Sequence, residues 1–354
     1  VLAGDGMARL VRGCVSRPPV EPPAVALALV RELTEDLFSE ALRARLRSIA
    51  RVLDDEPLTS FADARAERLL AEVEILLTGW GAPRIDAAIL DRAPRLRAVV
   101  HAAGTVKLHV APECWARGIV VTSAAAANAI PVAEYTLAMI LLANKRVLRL
   151  RERYRELRRA RPWTREFAGL GNFRRTVGIV GASQVGRRVL ELLRPFELEV
   201  LVHDPFLDEA GATALGARLA DLDDLVATSD VVSLHAPALL ETHHLMDARR
   251  LALLRDGATL INTARGWLVD HAALERELAS GRIDAVIDTT DPEVLPAGSP
   301  LYELPNVFLT PHVAGAMGTE TQRLAALAID EIERLARGDA PRHAIRAEDL
   351  AHLA

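Results

Sequence analysis

Short apolar runs recur along the chain, separated by stretches in which apolar residues return at helical spacing. In the first third the runs fall at 24–30, 49–53, 74–78, 97–101 and 119–122, with helical stretches at 36–47 and 63–71. A second series follows at 177–180, 199–203, 231–234, 259–262, 285–288 and 307–309. This alternation predicts an α/β protein of two doubly wound domains, each a parallel sheet with crossover helices. Between the series a long helix is predicted to open at Pro131 and to run through VAEYTLAMILLANKRVLRLRERY. Proline suits a first helical position, where its missing N–H would have no partner anyway. The first half of this helix is apolar nearly all round and is expected to be buried between domains or subunits. A last amphipathic helix is predicted over 320–337, with Gly338 as its stop.

Composition narrows the class. At 354 residues, the chain is long enough for two cores, and 50% apolar with 26% charged residues is a globular balance. A net charge of −5 offers no footprint for nucleic acid. Residues 145–175 hold twelve Lys/Arg against three Glu, which reads as a solvated or partner-facing arm with Glu–Arg pairs. Only Cys14 and Cys114 are present, so no disulfide scaffold is expected and a reducing cytoplasm is. The most apolar stretch, 137–143, falls far short of the ~20 residues of a membrane span, and no membrane partner is expected. Asp5, Arg9 and Arg12 break any signal-peptide core at the N-terminus, where Met7 could also initiate. The Pro-rich RPPVEPP at 17–23 reads as a stiff lead-in to the first strand.

Candidate chemistry begins at TVGIVGASQVG, where Gly181, Ser183 and Gly186 follow a strand and open a helix. Gly181 permits a tight turn, Gly186 permits close packing of helix on strand, and the exposed N–H groups of the helix start can hold a pyrophosphate. Ser183 stands where the middle glycine of such a loop is usual; its hydroxyl could itself donate to phosphate. The next strand ends at Asp204, 23 residues beyond Gly181. A carboxylate there bonds an adenosine ribose and repels a 2′-phosphate, which favours NAD over NADP. No metal site is expected.

Three polar residues close later strands, where open α/β sheets bind ligands: Arg265 in NTARG, Glu293 in DTTDPEVLP and His312 in TPHVAG. Each has a bland reading singly: Arg265 as a partner of Asp270, Glu293 as a loop charge, His312 as a satisfied strand-end histidine. Together they suit hydride transfer at a hydroxy acid. The guanidinium grips a carboxylate with its fork, the imidazole exchanges the hydroxyl proton, and the carboxylate holds the imidazole and favours its charged form.

With HAAG at 101–104, NAIPVAEYTLA at 128–138, SLHAP at 233–237 and the Asp288-to-Glu293 spacing, these segments make the chain resemble the D-isomer-specific 2-hydroxyacid dehydrogenases from about residue 70 onward. The resemblance implies that Arg265, Glu293 and His312 are catalytic. It implies cofactor contacts at Gly181, Ser183, Gln184, Val185, Gly186, Asp204, Pro237, Thr263, Ala264, Arg265, Asp288, and from His312 to Gly315. It implies that backbone N–H groups at Ala103 and Gly104 meet the substrate carboxylate, alongside Arg265. It further implies a Rossmann NAD domain (124–315) inserted into a split flavodoxin-like substrate domain (1–123 and 316–354), hinge closure, and a homodimer through the long helix and its arm. Trp163 is expected to reach the partner's cleft. The expected partner is a small 2-hydroxy or 2-keto acid. Four residues depart from the family pattern: Ser183, Val294 after the glutamate, Lys107 where an acidic residue is common, and Trp267 where small residues are usual. The last two bear on which acid fits. Two alternatives remain open: a formate dehydrogenase-like enzyme, which needs no general acid, and an NAD-binding, corepressor-like scaffold.

Overall fold

The computed structural model describes residues 21–351. Cys14, Met7 and the first part of the Pro-rich lead-in lie outside the described residues. Among the described residues twelve strands form two sheets, and every ladder is parallel. The first sheet holds β1 (Ala24–Ala28), β2 (Arg51–Val52), β3 (Ile75–Thr78), β4 (Ala98–His101) and β5 (Val120–Ser123), in the order β2-β1-β3-β4-β5. Alternate residues serve opposite cores. Val25 and Leu27 face the helices Glu40–Ile49 and Thr321–Ala336, while Ala26 and Ala28 face Leu70 and Leu90 on the other side. Arg45 ties those two helices together through Asp330 and Glu333. Thr321–Ala336 therefore belongs to the core of the first sheet, although it follows the last strand of the second.

The second sheet holds β6 (Thr176–Val180), β7 (Glu199–His203), β8 (Arg218–Leu219), β9 (Val231–Leu234), β10 (Thr259–Asn262), β11 (Asp284–Ile287) and β12 (Val307–Leu309). Its order is β12-β11-β10-β9-β6-β7-β8. The order reverses between β6 and β9, and a crevice opens beyond the carboxyl ends of those strands, the place where such sheets take ligands. Many crossover helices begin with an aspartate that accepts from a backbone N–H of the first turn: Asp63 from Ala66, Asp86 from Ile89, Asp208 from Gly211, Asp247 from Arg250. Each such cap stabilises by about 1 kcal/mol.

Several expected elements differ. The stretch 36–47 is two helices, Thr34–Leu37 and Glu40–Ile49, broken at Phe38 and Ser39. Strand β8 has two residues, too few to leave a periodic signal. The long helix does not open at Pro131. It spans Ala125–Asn144, because the alanines before the proline are strong helix formers, and Pro131 is buried within it. The Ala127 carbonyl loses its helical donor there. Nor does the helix continue to residue 154: Arg146 adopts a left-handed conformation (φ 47°), and a separate helix resumes over Val147–Leu157. The last helix ends as expected, with Gly338 at φ 76° after Arg337.

By length and composition Ala125–Asn144 could cross a membrane, a fact hidden when only 137–143 is weighed. In the fold it is a core helix of the second sheet. Ala133 and Ile140 pack against Val177, Ile179 and Val189. The Thr136 and Tyr135 hydroxyls reach Thr263 (3.0 Å) and Thr310 (2.9 Å) at the ends of β10 and β12. Its opposite face leaves Glu134, Ala138 and Leu142 exposed, so it is not buried all round.

Candidate active site

The glycine loop fixes one wall. Gly181 turns at φ 98°, and a Cβ there would lie 2.6 Å from the Ala236 nitrogen; at Gly186 a Cβ would lie 2.0 Å from the Gly181 oxygen. No side chain fits either place. Ser183 has φ −64°, which any residue adopts, and its hydroxyl caps the helix Gln184–Leu193 by accepting from the Gly186 N–H at 3.3 Å. The departure from glycine is thus a helix cap, and the hydroxyl proton stays available to an anion.

Ser183, Gln184, Val185, Pro237, Thr263, Ala264 and Arg265 share one cleft with Gly104 from the first sheet. Sequence reasoning did not single out Asn128, Ala129, Val132 or His235, which also line it. Only the family segments NAIPVAEYTLA and SLHAP hinted at them. Asn128 bridges the sheets. Its Oδ1 accepts from the Ala316 N–H at 3.0 Å and lies 3.3 Å from where a Gly315 Cβ would be, and its amide borders Gly104. Ala103 is fully buried behind Gly104 and does not line the cleft.

Two predicted carboxylates are engaged within the chain. Asp204 accepts from the Ala182 N–H at 2.7 Å and the Phe206 N–H at 2.9 Å, so it lies on the glycine loop at the end of β7. Asp288, 2% exposed, accepts from the Thr310 hydroxyl and from the Val313 and Ala314 N–H groups at 2.6 to 2.9 Å. Its visible work is to brace the loop that carries His312.

On that loop His312 adopts φ 57°, and its Nδ1 meets Glu293 Oε1 at 2.5 Å. Both side chains are substantially open to solvent. Arg265 stands at the junction: it lines the main cleft and also an open pocket shared with Glu293 and Trp267. Burial pushes its guanidinium down from the usual arginine value, and Glu293 acts the other way. Asp270 is not its partner; that carboxylate caps the helix His271–Ala279. Trp267 donates its indole N–H to the Leu239 carbonyl (2.6 Å) and packs on His243, pinning the rim of the cleft. Val294 is exposed.

Two buried histidines near the cleft, His235 and His101, are unsuited to proton exchange. His235 is fully enclosed beside Ser233 (2.9 Å), and burial pushes its pKa down to about 3. His101 is held to the Thr78 hydroxyl at 2.9 Å, and burial with the nearby His109 brings it to about 3 as well. Both stay neutral at physiological pH, which leaves His312 as the imidazole with solvent access and a carboxylate partner. Among the described residues no group of three or more His, Cys, Asp or Glu could hold a metal.

A parallel sheet with its reversal point above a glycine turn, and a Glu–His pair beside a desolvated arginine, define a dinucleotide-dependent oxidoreductase type of site. Residues 137–314 match the family model described as D-isomer specific 2-hydroxyacid dehydrogenase, NAD binding domain. The D-3-phosphoglycerate dehydrogenase of Mycobacterium tuberculosis (strain ATCC 25618 / H37Rv) is 35% identical over 277 residues, 76% of this chain and 51% of that protein. The chain spans about half the length of the mycobacterial dehydrogenases it matches. The glyoxylate reductase of Aeropyrum pernix is 33% identical over 326 residues, 89% of this chain and 95% of its own length. The crystal structure of D-lactate dehydrogenase from Aquifex aeolicus complexed with NAD and lactic acid superposes with a TM-score of 0.67 at 27% identity, covering 89% of this chain and 96% of that one. The chain belongs to the D-isomer-specific 2-hydroxyacid dehydrogenase family. NAD is the cofactor of its matched domain, and the glycine turn, which no Cβ could enter, fits a pyrophosphate.

Proposed function

We propose that the protein is an NAD-dependent D-2-hydroxyacid dehydrogenase, moving a hydride between nicotinamide and C2 of a small 2-hydroxy or 2-keto acid. The observation that carries this reading is the 2.5 Å Glu293–His312 contact, its glutamate sharing with Arg265 the open pocket beside the main cleft. Gly181, Ser183, Gln184, Val185 and Gly186 hold the pyrophosphate, Asp204 the adenosine ribose, and Pro237, Thr263, Ala264 and the His312–Gly315 loop the remainder. Bound NAD supplies the hydride acceptor or donor. Arg265 grips the substrate carboxylate with its fork, aided by the backbone at Gly104, and so orients C2. Charged His312 donates its proton to the keto oxygen in reduction, and neutral His312 removes the hydroxyl proton in oxidation. Glu293 holds the ring at Nδ1, which leaves Nε2 for the substrate. Formate oxidation transfers no hydroxyl proton and has no use for this pair.

The substrate domain in this reading comprises 1–123 and 316–354, and the NAD domain 124–315. The Ala316 N–H, which donates to Asn128 Oδ1 at 3.0 Å, ties the two parts together beside the cleft. We further propose a homodimer through the open face of Ala125–Asn144 and the helix Val147–Leu157; sedimentation showing only a 38.4 kDa species would refute it. Trp163 stacks on Phe167 and meets Tyr154 edge-on within its own arm, so its ring contributes to that arm's shape. Cys114 is a buried free thiol, in keeping with a cytoplasmic place. Oxidation of NADH, followed by absorbance with a panel of 2-keto acids including glyoxylate and hydroxypyruvate, tests the function. Consumption with at least one acid is expected, and none with any would overturn it.

A further inference from the structure

Pro237 lines the main cleft from a loop, residues 237–243, that has little of its own to hold it in place. No side chain in this loop is buried, and Leu240 is 85% exposed. Its internal bonds close it on itself: the Thr242 hydroxyl donates to the Pro237 carbonyl at 2.6 Å and accepts from the Leu239 N–H at 2.8 Å. Among the described residues, one hydrogen bond reaches the loop from a distant part of the chain, from the Trp267 indole N–H to the Leu239 carbonyl at 2.6 Å. The His243 ring packs on the same indole, with ring centroids 4.1 Å apart. A segment with so few buried contacts opens at little cost unless something anchors it.

The anchor itself is firmly seated. Trp267 sits in the turn Gly266–Leu268, directly after Arg265. A Cβ at Gly266 would lie 2.1 Å from the Thr290 carbonyl carbon, so the turn is pressed against the backbone that leads to Glu293. Buried Asn262 donates to the Arg265 carbonyl at 2.9 Å. The N–H groups of His244 and Met246 donate to the carbonyls of Trp267 and Leu268 at 3.0 and 2.8 Å, and Leu268 is wholly buried. The backbone of Trp267 is therefore fixed without help from its side chain, and the indole is a strut from the turn after Arg265 to the loose wall. We propose that Trp267 is a positioning residue for the cofactor: its indole holds the loop 237–243 so that Pro237 is in place before NAD enters, and binding does not have to order that wall. This rests on the dehydrogenase reading for the place of NAD along Pro237.

The test measures NADH affinity by calorimetric titration, and the KM of a reactive 2-keto acid at saturating NADH, in the wild type, Trp267→Phe and Trp267→Ala. Phenylalanine keeps a ring against His243 and removes the N–H; alanine removes both. The NADH dissociation constant is expected to rise about 3- to 10-fold in Trp267→Phe, the range for one neutral hydrogen bond, and further in Trp267→Ala. The keto-acid KM should change by less than the NADH dissociation constant in both, because the backbone at Arg265 keeps its own ties. Hydrogen exchange at the Leu239, Thr242 and His243 amides should quicken in Trp267→Phe while exchange in β9 and β10 stays at the parent rate. If both variants bind NADH as the parent does, or if NADH affinity and keto-acid KM worsen by one common factor, this proposal fails and the dehydrogenase reading stands on its own test. If the loop amides exchange faster in Trp267→Phe but the wild type binds no NADH, the dehydrogenase reading fails and only the anchoring of the loop stands.

Discussion

Asp288 and His312 are joined through the loop between them rather than through their side chains: the His312 N–H donates to the Asp288 carbonyl at 2.9 Å, while the Asp288 carboxylate accepts from Val313 and Ala314. The backbone that carries His312 is therefore held by Asp288, and the imidazole itself by Glu293. Asp288→Asn keeps the shape but replaces one acceptor oxygen by a donor facing an N–H group. Loss of about 1–3 kcal/mol of stability is expected, with a fall in kcat larger than the rise in the NADH KM. Urea unfolding and steady-state kinetics check both; unchanged kcat would show that this brace is irrelevant to His312.

The glycine loop gives a paired prediction. Gly186→Ala forces a Cβ against the Gly181 oxygen and should cost about 1–3 kcal/mol and most of the NADH affinity. Ser183→Gly, at φ −64°, should cost only a few tenths of a kcal/mol, whereas Ser183→Ala loses the cap and costs about 1 kcal/mol. Thermal unfolding of the three variants would show whether Ser183 is a cap.

Asp204→Ala should relax the preference for NADH over NADPH and raise the NADH KM roughly 10- to 100-fold, the worth of a charge-assisted hydrogen bond. Wild-type enzyme that accepts NADPH as readily as NADH would remove Asp204 from the ribose. The Ala182 N–H also loses its acceptor, so NADPH turnover should rise relative to NADH without matching the parent.

His101 and His235 set an acid limit on stability. Each has its pKa lowered to about 3 in the folded state, so below the unfolded value of ~6.5 the unfolded chain binds the extra protons. Their contribution is complete above that pH and is lost as pH falls through the window from ~6.5 to about 3. Each should remove up to about 1.4 kcal/mol per pH unit inside that window. Unfolding free energy measured between these limits should fall with acidification, less steeply in His101→Gln. An equal slope in that variant would contradict the buried neutral state.

The sheets were legible because parallel strands buried on both faces leave plain apolar runs such as AVALA and TLIN. The glycine turn at Gly181 and the meeting of Glu293 with His312 were legible because open parallel sheets gather polar residues at their strand ends. The helix start was not, because Pro131 is a strong local signal that the alanine run and the packing of Ala133 and Ile140 override. Asn128 and His235 carry no motif of their own. Their places against Gly315 and beneath Gly186 depend on residues far away in the chain.

The most direct test of the central claim is the rate of NADH oxidation by a reactive 2-keto acid in the wild type and in His312→Ala, with NADH affinity measured on the same samples. Loss of a general acid predicts a fall in kcat of roughly 10²–10⁴-fold at nearly unchanged NADH affinity. A His312→Ala enzyme that turns over at the parent rate would contradict the assignment of proton transfer to this residue.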